Sequence, residues 1–122
     1  MIDFKNSKFV KLRSVHNKTF SAAIEPLLIP EESIFKSYQT IMDGVVFTNK
    51  RIITINSQGL VKTDYTSLPY NKIQAYSVET AGLLDADSEL TLWFSGLGQV
   101  KLEFTARADI HDICLMISMY VL

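Results

Sequence analysis

Few side chains in this sequence are spaced for chemistry, and the sharpest grouping is acidic. Asp85-Ala86-Asp87-Ser88-Glu89 sets three carboxylates at alternate positions, as part of a calcium loop would. It lacks the central glycine and the distal bidentate glutamate of an EF-hand, and a polar hairpin loop is the simpler account. His16 and His111 are the only histidines, and neither has a cysteine or second histidine at a metal-ligand spacing. His16 falls on an apolar stripe. His111 falls in the first turn of a helix, where the dipole disfavours an imidazolium. Both are expected as neutral packing residues. Cys114, the single cysteine, lies on the inward stripe of the same helix, where a free thiol behaves as a small apolar group. Glu79 and Asp85 could be paired acids, but nothing in the sequence separates their pKa values. No G-x-S-x-G, Walker A or G-x-G-x-x-G pattern occurs, and Gly96-Leu97-Gly98 is a turn. No catalytic set, metal or cofactor is expected.

The remaining chemistry is that of binding. Lys50 and Arg51 flank a hairpin turn and are candidates for contacting an anion, although exposed charges mostly serve as solvated surface and Arg51 is expected to pair with an acidic neighbour. Lys8, Lys11 and Lys18 are further anion candidates. They belong to a basic head: residues 1–24 carry five basic groups against Asp3 alone, a net +4, and the rest of the chain carries a net −5. Such asymmetry suits an anionic partner, or a head docking on the acidic body of the next subunit. Trp93 stands out for a different reason. If Leu90, Leu92 and Phe94 face inward, Trp93 faces out between Thr91 and Ser95, and outward tryptophans anchor interfaces. The competing expectation is that the N-terminal helix covers it; either way Trp93 should be largely buried. Thr91, with Phe9 and Leu12 on the N-terminal stripe, completes the candidate subunit contacts.

These residues must be placed by the elements around them. Phe9, Leu12, His16, Phe20, Ala23 and Leu27 recur at spacings of three and four, which predicts an amphipathic helix over roughly Lys8 to Leu28, ended by Pro26 and Pro30. Asn17 to Thr19 is a weak point that could split it in two. From Ser33 the period becomes two. Strands are expected at Ser33–Ile41, Val45–Thr48, Arg51–Ile55, Leu60–Ser67 and Ile73–Thr80. The turns are Asn49-Lys50, where Asn tolerates left-handed geometry, and Asn56-Ser57-Gln58-Gly59. Pro69 interrupts any ladder. The clearest hairpin alternates Leu90, Leu92 and Phe94 with Val100, Leu102 and Phe104 around Gly96-Leu97-Gly98. A final helix, capped by Asp109, carries Ile110, Ile113, Cys114, Ile117, Tyr120 and Val121 on one stripe.

At 122 residues, 48% hydrophobic and 20% charged, the chain suits one globular domain. It shows no signal peptide pattern and no apolar run of the ~20 residues that cross a bilayer. One cysteine fits a reducing cytoplasm. About seven strands closed by one helix predict an α+β, mainly β fold: a strongly bent antiparallel sheet or barrel, with residues 1–28 as a basic helical segment and 29–122 as the main body. Periodicity alone leaves several small barrels open.

Specific blocks narrow that choice. Val46-Phe47-Thr48-Asn49-Lys50-Arg51-Ile52, Leu68-Pro69-Tyr70-Asn71-Lys72-Ile73, Val78-Glu79-Thr80-Ala81-Gly82 with Asp85, and the closing Asp109–Leu122 helix resemble, in order and spacing, the bacterial pleckstrin-homology (PH) domain family. The resemblance runs from about Leu27 to the C-terminus. It implies a PH-like barrel, a cytoplasmic location and a tendency to assemble into rings, with five subunits the expected count. It implies no ligand. Tyr38 to Gly44, where phosphoinositide-binding PH domains cluster basic residues, has none and contains Asp43. The expected function is a non-enzymatic homo-oligomeric scaffold or interaction module with a further, unspecified protein partner. The alternative is peripheral binding to acidic phospholipid through the basic segment Lys5 to Ile24. Overall charge gives no case for nucleic acid.

Overall fold

The computed structural model describes residues 4–5, 9–58, 61–80, 87–105 and 109–122. Two antiparallel sheets pack face to face. The first runs β1 (Arg13–Val15), β2 (Ile34–Gln39), β3 (Gly44–Thr48), β4 (Arg51–Gln58) and β5 (Lys62–Pro69) in sequential order. The second contains β6 (Ile73–Glu79), β7 (Ser88–Phe94) and β8 (Gly98–Phe104). A 3-10 turn at Tyr70–Lys72 carries the chain between them, and helix α2 (Ile110–Val121) seals the barrel.

The alternating hairpin forms as its sequence requires. Leu90 lies opposite Leu102 and Leu92 opposite Val100, and all four are buried with Phe94 and Phe104. Gly96 and Gly98 take φ of +81° and +93°, values that L side chains rarely adopt. From the facing sheet come Tyr38, Val45, Phe47, Ile52 and Leu68, and from α2 Ile110, Ile113, Met116 and Ile117. Tyr38 meets the Phe104 ring edge-on at 4.9 Å and the Phe47 ring at 5.8 Å, a favoured aromatic geometry. Ile113 and Ile117 are fully buried, each stabilising the closed barrel by roughly 2 kcal/mol through area removed from water.

The first sheet also buries its outer face. Val46, Ile53 and Ile55 point away from the barrel and pack with Ile24, Phe20, Leu28 and Ile34. This explains the unbroken apolar run Val45-Val46-Phe47, which serves two cores at once. Helix α1 (Lys18–Ile24), followed by a 3-10 turn at Glu25–Leu27, provides the cover. Phe20 lies so close over Gly44 that a Cβ there would sit 2.4 Å from its ring.

Several expectations need correction. The helix over Lys8 to Leu28 is confined to Lys18–Ile24. Residues 9–12 instead run alongside β8: Leu12 N–H donates to Glu103 O at 2.8 Å, Thr105 N–H to Leu12 O at 2.9 Å, and Glu103 N–H to Phe9 O at 3.0 Å. The chain then enters β1, whose Ser14 lies opposite Tyr38 of β2. This strap joins the two sheets. Lys11, at φ +54°, turns the backbone so that Phe9 and Leu12 both face inward, which mimics helical spacing in an extended segment. Asn56 to Gln58 continues β4 rather than turning. The Asn49-Lys50 turn does form, but Asn49 has no positive φ. Its side chain instead accepts from Ser33 N–H at 2.9 Å and donates to Glu31 O at 3.0 Å. Asp109 precedes α2 without a side-chain cap and pairs with Lys36 Nζ at 2.8 Å.

Candidate functional site

The second sheet differs from the first in having an open outer face. Trp93 sits on central strand β7, between Ala75 of β6 and Gln99 of β8, and is 36% exposed. The expected cover by the N-terminal helix does not occur, because α1 packs on the first sheet. Trp93 is therefore left partly exposed and not covered by α1. Thr91 shares this face but is buried between Ser77 and Lys101 and has little surface to give. Phe9 and Leu12 are fully buried in the barrel core. They cannot contact another subunit, because their apolar spacing is used to close the sheets.

Among the described residues, β5 and β6 each carry one ladder, so each has an edge of backbone N–H and C=O groups turned away from its sheet. Trp93 lies one strand in from the β6 edge. A large amphipathic side chain beside an unpaired strand edge can seat a second β-structure by backbone pairing and burial together.

The anion candidates fare differently from one another. Arg51 is consumed structurally. Its Nε and Nη2 donate to the two carboxylate oxygens of Glu32 at 2.9 Å each, Nη2 also donates to Leu27 O at 2.6 Å, and Nη1 donates to Ser67 Oγ at 3.1 Å. Glu32 accepts further from Thr48 Oγ1 at 2.7 Å and Ile29 N–H at 3.1 Å. Burial pushes this carboxyl up, but the Arg51, Thr48 and Ile29 hydrogen bonds outweigh it and hold the group below its ordinary value. The cluster fastens the segment after α1 to β3, β4 and β5 and engages four of the five Arg51 N–H groups, leaving one on Nη1. That Arg51 pairs with an acid agrees with the sequence; the identity of that acid, 19 residues earlier, had no sequence signal.

Lys50 is exposed beside a groove of about 390 Å³ formed with Tyr70, Asn71 and Tyr120. Tyr70 and Tyr120 stack at 5.3 Å, and Tyr70 donates to Thr48 O at 2.7 Å. Burial holds the Tyr70 hydroxyl well above the usual phenol range, so it stays a neutral donor. Lys18 is exposed on α1, Lys11 lies 3.8 Å from Asp87, and Lys8 lies outside the described residues. Of the described ones, Lys11 lies in the segment beside β8, Lys18 on α1 and Lys50 in the turn between β3 and β4.

The groups first considered for chemistry are likewise dispersed. Cys114 is half-buried, and burial pushes its thiol up, away from a nucleophilic thiolate. His16 and His111 are exposed rather than packed; His16 accepts at Nδ1 from Lys18 N–H at 3.1 Å. Asp85 lies outside the described residues, while Ser88 and Glu89 belong to β7. Among the described residues no three metal-ligating side chains converge, and no helix is long and apolar enough to cross a membrane.

Two bent sheets, a sealing C-terminal helix and an open tryptophan-bearing face define a PH-like module. The chain belongs to the bacterial PH domain family, which it matches over residues 3–121. It is similar to Uncharacterized protein YjqA of Bacillus subtilis (strain 168), at 41% identity over 71% of this chain and 73% of that one. It also resembles a crystal structure of a DUF1696 family protein with a pleckstrin-homology domain from Shewanella loihica PV-4. There the TM-score is 0.80 and the identity 34%, covering 93% of this chain and 99% of the other. A pleckstrin homology domain from Shewanella amazonensis SB2B aligns at TM-score 0.66 and 37% identity, over 88% and 90% of the two chains.

Proposed function

We propose that this chain is a non-enzymatic, cytoplasmic PH-like module that assembles with copies of itself through the outer face of its second sheet, forming a closed ring that presents binding surfaces to a protein partner. The observation that carries this reading is Trp93, exposed on β7 beside the unpaired edge of β6. Pairing of one subunit's β6 edge with a neighbour would satisfy backbone groups and remove Trp93 from water in one step, and a closed ring leaves no edge over. Five subunits is the count the family resemblance favours. Light scattering on the purified protein tests it. A multimer that Trp93→Ser dissociates supports the reading, whereas a strict monomer at micromolar concentration removes it.

The alternative, acidic phospholipid bound through a basic helix spanning Lys5 to Ile24, loses its geometric basis. Lys11 lies in the strap and Lys18 in α1, so they share no helical face.

A further inference from the structure

The last turn of α2, the β3–β4 turn and the Tyr70–Lys72 turn meet around the groove of about 390 Å³, within the ~300–1,000 Å³ of small-molecule sites. One wall is apolar and set in place by the fold. Tyr70 is buried and its hydroxyl donates to Thr48 O at 2.7 Å. Tyr120 stacks on it, with ring centroids 5.3 Å apart and 28° between the planes, yet stays 45% exposed. Pro69 and Ile29, the latter 53% exposed, extend the same wall. The stack holds the Tyr120 ring still, so a flat ligand meets a surface that needs little further ordering.

The opposite side is cationic. Lys50 is exposed, and among the described residues its ammonium forms no ion pair. The acid that lines the groove, Glu32, is buried and already accepts from Arg51, Thr48 and Ile29. Arg51 keeps one N–H on Nη1 uncommitted, and Asn71 adds an exposed amide. Two cations and one anion leave the lining with one net positive charge, carried by Lys50. Glu31 and Lys72 are exposed but lie outside the lining. An aromatic wall thus stands beside one uncompensated cation and a few convergent donors, the composition of a site for a small polar-headed molecule.

We propose that this groove binds a small aromatic monocarboxylate. The ligand ring lies against Tyr120 and Pro69, and its carboxylate accepts from Lys50 Nζ, with the remaining Arg51 N–H and the Asn71 amide as further donors. Charge-assisted hydrogen bonds of this kind are about twice as strong as neutral ones. A single net charge fits a monoanion better than a polyanion, which would leave charge unmatched beside Glu32. The groove also falls short of a protein partner, since a stable interface takes ~800 Å² from each side. None of its lining residues belongs to β6, β7 or β8, where Trp93 lies. Ligand binding and self-assembly therefore use separate surfaces.

Saturation-transfer NMR with benzoate on the full chain, with calorimetry for the affinity, tests the proposal. Acetate supplies the charge without the ring, and benzyl alcohol the ring without the charge. Benzoate is expected to bind saturably at millimolar concentration, and each of the other two about tenfold more weakly or not at all. Lys50→Gln, which alters an exposed side chain and should leave the unfolding midpoint unchanged, is expected to weaken benzoate by about tenfold. Tyr120→Ser is expected to weaken it by about fivefold through the lost ring contact. Absence of saturable benzoate binding to the wild type overturns the proposal. So does benzyl alcohol or acetate binding as tightly as benzoate, or a folded Lys50→Gln variant with wild-type affinity. Light scattering without benzoate reads the assembly, so this proposal and the Trp93 reading fail separately.

Discussion

The two sheets of this barrel share a core but treat their outer faces in opposite ways. The five-stranded sheet turns Val46, Ile53 and Ile55 outward and covers them with α1. The three-stranded sheet turns Trp93 outward and leaves it partly exposed. Apolar area that the chain buries itself contributes to its stability. Apolar area left open contributes nothing to the monomer and is free for another molecule. The first face is therefore structural and the second is where binding is to be sought.

The sharpest way to break this contrast is to weaken the covered face. Ile24→Ala removes a fully buried side chain from the α1 contact and is expected to lower unfolding free energy by about 3 kcal/mol in a denaturant titration. A loss below 1 kcal/mol would mean that α1 is only loosely seated.

The clamp that holds the segment behind α1 comes next. Glu32→Gln replaces the buried carboxylate facing Arg51 and is expected to cost about 2 kcal/mol at neutral pH. The folded carboxyl titrates below its ordinary 4.5, so its contribution is complete above that pH and is lost as the pH falls through the lower, folded value. Wild type and variant should converge in stability on acidification. Parallel acid profiles would show that the charge of Glu32 is not what stabilises the segment.

Gly44→Ala should cost about 1–2 kcal/mol, because the new methyl group must displace the Phe20 ring that rests there. Thermal unfolding measures it, and a neutral result would mean that Phe20 leaves its seat freely. The smallest effect belongs to the open face. Trp93→Ser should change monomer stability by less than about 0.5 kcal/mol when measured at high dilution. A loss comparable to that of Ile24→Ala would mean that Trp93 is part of the fold and would erase the distinction between the faces.

Much of the barrel was legible because alternation and turn chemistry are local signals. Leu90 to Phe104 could form little else, and the stripe of α2 pointed Ile113 and Ile117 into the core where they lie. The outward direction of Trp93 followed from the same period of two. The N-terminal segment was misread because Phe9 and Leu12, three apart, satisfy a helical pattern. They also satisfy an extended strap with one left-handed residue at Lys11, and sequence does not distinguish the two. His16 failed with it, since its packing role depended on the helix.

The amino-acid sequence by itself determined the alternating strands, the glycine turn, the terminal amphipathic helix and the family they compose. It did so because each depends on neighbours a few residues away. Only the tertiary structure decided that Glu32 neutralises Arg51, that residues 9–12 join the sheets, that α1 covers one sheet and spares Trp93, and that Lys50 and Tyr120 line one groove. Those outcomes depend on which distant surfaces compete for the same apolar segment, and that competition takes place only once the chain has closed on itself.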